Sequence, residues 1–119
     1  MKRRFAAIVP AVAAVAFALP LTLSTSAVAA APCGTTATDK DNSGWNNTAN
    51  GANQRSGSYT SCAILGIAYS SHNLDYHCYT RIGSSTETWT YLRNDSASPD
   101  TYGWVRDDLL SDGGSLDPC

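Results

Sequence analysis

The sequence predicts an all-β domain, a small barrel of about five strands, stabilised by disulfides and preceded by an export leader. Three observations predict it. Short runs rich in β-branched and aromatic residues recur between turn-forming residues over about 55 of the 119 residues. No segment there has a credible amphipathic helical period. All four cysteines lie downstream of an apolar start.

The start has the order of a secretory signal. Lys2, Arg3 and Arg4 are followed by the almost wholly apolar Phe5–Leu23 and then by small residues ending in Ala27-Val28-Ala29-Ala30-Ala31. Pro10 and Pro20 speak against a long membrane-spanning helix. Pro32 would be a poor residue to leave at a new N-terminus, so cleavage is expected after Ala29 or Ala30. Residues 1–30 are thus read as leader, and the mature chain, about 90 residues, as one secreted domain. Ala30-Ala31-Pro32 lack the aliphatic and small-residue order of a lipoprotein signal, so Cys33 is not read as a lipid anchor.

Past the leader, five basic residues (Lys40, Arg55, Arg81, Arg93, Arg106) face ten acidic ones, a net charge of −5. That excludes nucleic acid and an anionic membrane surface as expected partners, because both need a cationic footprint. Ten large aliphatic residues and nine aromatics are the whole core stock. A chain this small buries a modest share of its surface, so cross-links are the expected remedy.

Residues 31–51 read as an irregular arm: from Gly34 to Gly51 the chain is Thr, Asn, Asp and Ser with one large apolar residue, Trp45. Strands are expected over about Ala52–Arg55, Cys62–Tyr69, Leu74–Arg81, Glu87–Arg93 and Tyr102–Arg106. Ser56-Gly57-Ser58, Gly83-Ser84-Ser85 and the stretch Asn94–Asp100 supply turn chemistry between them. In the third run Leu74, Tyr76 and Cys78 alternate with Asp75, His77 and Tyr79, so one face can be buried and the other wet. Asp107-Asp108-Leu109-Leu110 fits one helical turn with a solvated acidic start, and residues 111–119 form a tail. There are no internal repeats. The expected core is Ile64, Leu74, Tyr76, Leu92, Val105 and Leu109.

Cys33, Cys62, Cys78 and Cys119 are even in number and lie in the exported part, which points to two disulfides. Of the three connectivities, Cys62–Cys78 with Cys33–Cys119 is favoured. Ser70-Ser71-His72-Asn73 reads as a hairpin turn, and folding about it sets residue 62 opposite residue 78. No Cys-x-x-Cys pair or closely spaced His suggests a metal, and no cofactor motif is found.

The order of residues adds a resemblance. Asn53-Gln54-Arg55-Ser56-Gly57-Ser58, Ile64-Leu65-Gly66, Trp89-Thr90-Tyr91-Leu92 and the closing Gly103-Trp104-Val105 with Leu109-Leu110 resemble the bacterial SH3 domain family. The similarity spans 52–110, and Gly103-Trp104-Val105 is its most specific part. Gln54 stands where that family usually has an aliphatic residue, and Ser58 where it has proline. The resemblance implies an SH3-like barrel of the small secreted actinobacterial type, whose disulfide the Cys62–Cys78 bridge resembles. It also implies a groove for peptides, commonly of the cell wall, beside the first long loop. Asn53, Arg55, Tyr59, Trp89 and Tyr102 are the ligand-binding candidates that follow. The aromatics would offer flat apolar contact, Asn53 a bond to a peptide backbone and Arg55 a fork for a carboxylate. Structural roles stand beside these: Arg55 could pair with Asp107 or Asp108, and Trp89 could be core.

Catalysis is not expected. His77 with Asp75 and many serines supply the residue types of a hydrolase, but a Ser-rich chain supplies those in any case. No Gly-x-Ser-x-Gly elbow, His-Glu-x-x-His helix or phosphate-binding loop is present. His72 and His77 are both expected at the surface, and the Asn46 and Asn94 glycosylation triplets are assigned no role. The expected function is that of a secreted, monomeric, non-catalytic binding domain for a peptide of the cell wall. The alternative is a secreted inhibitor or accessory factor docking on an extracellular protein, which the acidic charge suits because wall polymers are often anionic.

Overall fold

The computed structural model describes residues 29–96 and 98–119, so the expected leader, apart from Ala29 and Ala30, lies outside the described residues. Five strands follow one another: β1 Ala52–Arg55, β2 Ile64–Ala68, β3 Leu74–Arg81, β4 Thr88–Asn94 and β5 Thr101–Arg106. A 3-10 turn, Asp107–Leu109, closes the series. Among the described residues no helix is long and apolar enough to cross a membrane.

The strands form one antiparallel sheet in the order β2-β1-β5-β4-β3. Residues of all five strands meet in one apolar cluster, comprising Ala52, Ala68, Leu74, Tyr76, Leu92 and Val105 with Ala49 and Leu110, so the sheet curls around it. It does not close into the expected barrel. Closure would need β2 to pair with β3, but the outer edge of β3 is taken by the chain's own ends. Asn46 bridges Leu74, the Lys40 amide donates to the His77 carbonyl at 2.8 Å, and Pro118 bridges Tyr79 in parallel.

The expected β2–β3 hairpin is therefore also absent: residues 69–73 link the two edge strands of the sheet, which hydrogen-bond to β1 and β4 instead. This corrects the disulfide pairing. The bridges are Cys33–Cys62 and Cys78–Cys119. The second follows from a β-bulge in β3. Tyr76 lies opposite Leu92, yet Cys78 lies opposite Tyr91, so His77 is the extra residue. Since the side-chain period of a strand is two, one inserted residue sends everything beyond it to the other face. Leu74 and Tyr76 enter the inner cluster, whereas Cys78 enters an outer one with Ala31, Trp89, Tyr91 and Trp104.

That outer cluster needs a cover, and the arm and tail provide it. Ala37 and Cys119 pack on it, and the Trp104 indole donates to the Thr35 carbonyl at 2.9 Å. The arm is irregular but bound: Gly34 N–H donates to Ser56 O, and Ser58 N–H to Ala31 O. Ser58 is buried, and its hydroxyl accepts from the Ala31 amide at 2.7 Å. These contacts bring Cys33 beside the 56–62 loop that holds Cys62. Gln54, also buried, ties strands together by donating to Thr101 O and accepting from Asn94 Nδ2. Gly103 is needed for close approach, since a Cβ there would sit 3.0 Å from the Arg55 carbonyl oxygen.

Two expected core residues are placed differently. Leu109 is 48% exposed while Leu110, at 3%, fills the inner cluster, because the 3-10 turn aims its last position outward and the next one in. Ile64 is exposed because β2 is an uncovered edge strand.

Candidate functional site

The outer face of β3, β4 and β5 carries the richest group of interacting side chains. Cross-strand register aligns Asp75, Arg93 and Tyr102 in one row, and sets Tyr91 opposite Trp104 in the next. Trp104 is buried and supports Tyr91, with ring centroids 5.0 Å apart. Tyr91 leads to Tyr102 at 6.4 Å, and the His77 ring lies 5.5 Å from Tyr91 and 6.0 Å from Tyr102. Edge and tilted contacts of this kind hold rings in place beyond simple burial, by roughly 0.5–1.5 kcal/mol per pair. The stack rises to the surface at Tyr102, which is 43% exposed.

Arg93 stands beside it. Its guanidinium lies 5.0 Å from the Trp45 ring centre, a cation–π contact, and within 3.8 Å of both Asp75 and Asp100 carboxylates. The neighbouring Tyr102, then these carboxylates, favour its cationic form. Burial pushes the Tyr91 phenol above its ordinary range. Two exposed aromatic rings, Trp45 and Tyr102, thus flank a guanidinium with carboxylates on either side.

His77 is buried, which corrects its expected surface position; the bulge turns it toward the sheet. Its Nε2 faces the Asp75 carboxylate at 3.4 Å and that of Asp39 at 3.8 Å, while its Nδ1 has no hydrogen-bond partner.

The five candidate ligand residues are not gathered into one groove. Arg55 is the cross-strand partner of Trp104, so it shares the outer face with Tyr102, two residues away on β5. Asn53, two residues before Arg55, lies half-buried on the same side of β1. Arg55 makes no ion pair with Asp107 or Asp108: its Nη1 donates to the carbonyls of Thr60 at 2.9 Å and Cys62 at 3.1 Å, bracing the 56–62 loop. Tyr59 is exposed on that loop. Trp89 is only 2% exposed, and its indole donates to Glu87 at 2.9 Å. It lies opposite Arg106, four residues along β4 from the Arg93–Tyr102 pair.

At that far end lies a polar cleft of about 420 Å³, lined by Ser85–Thr88 and Arg106–Asp108. Its charges are matched within the chain, Arg106 lying 3.0 Å from Asp108 and 3.7 Å from Glu87. Asp107, expected to be solvated, is buried and accepts from the Thr90 hydroxyl at 2.6 Å. Burial pushes its carboxyl up to about 6, against hydrogen bonds from Thr88 and Thr90.

Sequence reading missed Arg93, Trp45 and His77 as members of the Tyr102 surface. The alternation Asp75-x-His77 and Arg93 beside an aromatic strand were visible, but the register that aligns them was not. Comparison of the chain with protein-family models, curated proteins and solved structures finds no match.

Proposed function

We propose that this chain is a secreted, non-catalytic binding domain of bacterial SH3 type that recognises a peptide of the cell wall. One observation carries the proposal: an exposed tyrosine, Tyr102, stands on a stack of buried aromatic rings beside Arg93 and its carboxylates. A ring fixed before the ligand arrives loses little rotamer freedom on binding, and flat apolar contact beside paired charges suits a polar, extended chain. The kinship rests on five antiparallel strands that fall on the resembling motifs, with Gly103-Trp104-Val105 in β5. Secretion rests on the leader composition, and two disulfides fit an oxidising compartment.

The test is retention of the purified protein on isolated cell wall. Wild type should be retained, and Tyr102→Ala should be released at least about tenfold more readily, the equivalent of 1.4 kcal/mol. Absence of wild-type retention would sink the wall assignment. The net charge of −5 favours one second reading, a protein partner outside the cell. Co-purification from culture medium separates the two, since a stoichiometric partner lost on Tyr102→Ala would establish it.

A further inference from the structure

The bulge that sends Cys78 to the outer face also sets His77 in an unusual position. His77 is only 8% exposed, and edge contacts with Tyr91 and Tyr102 hold its ring. Its Nδ1 has no hydrogen-bond partner, and its Nε2 faces two carboxylates from beyond normal hydrogen-bond length, 3.4 Å for Asp75 and 3.8 Å for Asp39. A buried imidazole left in this state calls for a cause, since unmet polar groups are costly and rare. The two carboxylates come from distant parts of the chain. Asp75 stands two residues before His77 on β3, whereas the arm brings Asp39 there through the Lys40 amide, which donates to the His77 carbonyl at 2.8 Å. The Asp41 amide donates to Asp39 Oδ1 at 3.2 Å, and Asp39 Oδ2 is the oxygen that faces the imidazole.

We propose that Asp39, Asp75 and His77 form a site for a divalent transition-metal ion, zinc by its donor set, which fastens the arm to β3. One imidazole nitrogen and two carboxylate oxygens lie within 4.8 Å of one another, so a single ion reaches all three after small side-chain shifts. Zinc bonds of about 2.0–2.2 Å at tetrahedral angles set neighbouring donor atoms roughly 3.4 Å apart. The distance from Nε2 to Asp75 already has that value, and the exposed Asp39 side chain closes the remainder. Calcium and magnesium take shells of oxygen, so the imidazole selects a transition metal. Zinc accepts nitrogen together with carboxylate oxygen.

Arg93 is the charge that opposes such an ion. Its Nε lies 3.8 Å from Asp75, but its Nη1 is equally close to Asp100, so Asp100 offsets the guanidinium while Asp39 and Asp75 balance the metal. Three protein donors leave one tetrahedral position for water. The ion ties residue 39 to residues 75 and 77, a cross-link added to the two disulfides that already hold arm and tail. The site adjoins Tyr102 through the His77 ring but does not depend on the ligand proposed above.

Titration of the chelator-stripped, disulfide-bonded protein with zinc alone tests it, followed by calorimetry and by the imidazole nitrogen signals in NMR. Wild type should bind a single ion, with the His77 Nε2 signal moved and the melting temperature raised. Asp39→Asn, a change at an exposed side chain, should weaken binding by at least about tenfold, and His77→Gln should weaken it further. Calcium should not compete. Absence of stoichiometric uptake overturns the proposal, as do uptake undiminished in Asp39→Asn, a His77 signal unmoved when zinc is bound, and calcium binding of equal strength.

Discussion

The Thr90 hydroxyl donates a 2.6 Å hydrogen bond to the Asp107 carboxylate, joining two buried residues on β4 and in the 3-10 turn. The same hydroxyl accepts the Ser115 amide at 2.9 Å, and the Ser115 hydroxyl donates to Asp41 at 2.6 Å. One buried carboxylate thus anchors the tail and, through it, the arm that covers the outer cluster. Burial raises the Asp107 carboxyl to about 6 from an ordinary 3.8. Between those values the native state holds a proton that the unfolded chain has released. Stability therefore falls as pH rises from about 4 to about 6 and is flat above, an effect of about 3 kcal/mol from this group. Asp107→Asn keeps an acceptor for Thr90 and should remove that slope in melting temperature against pH. A slope unchanged in the variant would assign it to another group.

The disulfides make a prediction that the hairpin reading would not. Peptide mapping without reduction should recover Cys33 linked to Cys62 and Cys78 linked to Cys119. Loops of 29 and 41 residues imply that removing either bridge costs roughly 4 kcal/mol by chain entropy, a large share of a small domain's stability. Denaturant unfolding of Cys78→Ala with Cys119→Ala checks the size.

Adjacent leucines separate the observed core from the expected one. Leu110→Ala should destabilise by about 2–5 kcal/mol, because it opens a cavity in the inner cluster. Leu109→Ala, at an exposed position, should stay within about 0.5 kcal/mol. Urea melts of the two variants read the difference.

Gly57 carries the contact between loop and arm. A Cβ there would sit 2.7 Å from Ala31 O, Cys33 N and Pro32 C, all backbone atoms that cannot rotate aside. Gly57→Ala should cost about 1–3 kcal/mol by overpacking and loosen the arm. Faster hydrogen exchange at Gly34 and Ser58, whose amides bond across this contact, is the accompanying signature.

Much of the fold was legible because local chemistry and tertiary structure agree. The strands fall within two residues of where β-branched and aromatic runs lie between turn residues. What escaped sequence reading has a common cause: it depends on partners far along the chain. The bulge at His77 has no glycine to mark it, yet it moves Cys78 to the other face and so decides the disulfides. The arm looks unstructured because it is polar, but it is fixed through backbone bonds to Ser56, Ser58, His77 and Leu74, which composition does not record. Asp107 looks solvated beside Asp108 until the tail folds over it through Ser115. Of the binding candidates, Tyr102 sits in an interacting surface, whereas Trp89 is enclosed and the Arg55 Nη1 bonds to the loop that holds Tyr59.

The central claim is that the Tyr102 face is where ligand binds, and NMR titration of the isotopically labelled protein with solubilised wall peptides tests it most directly. Saturable shifts should centre on Tyr102, Arg93, Tyr91 and His77 and vanish in Tyr102→Ala. Shifts confined to the Glu87–Asp108 cleft or to β2, or none at all, would contradict it.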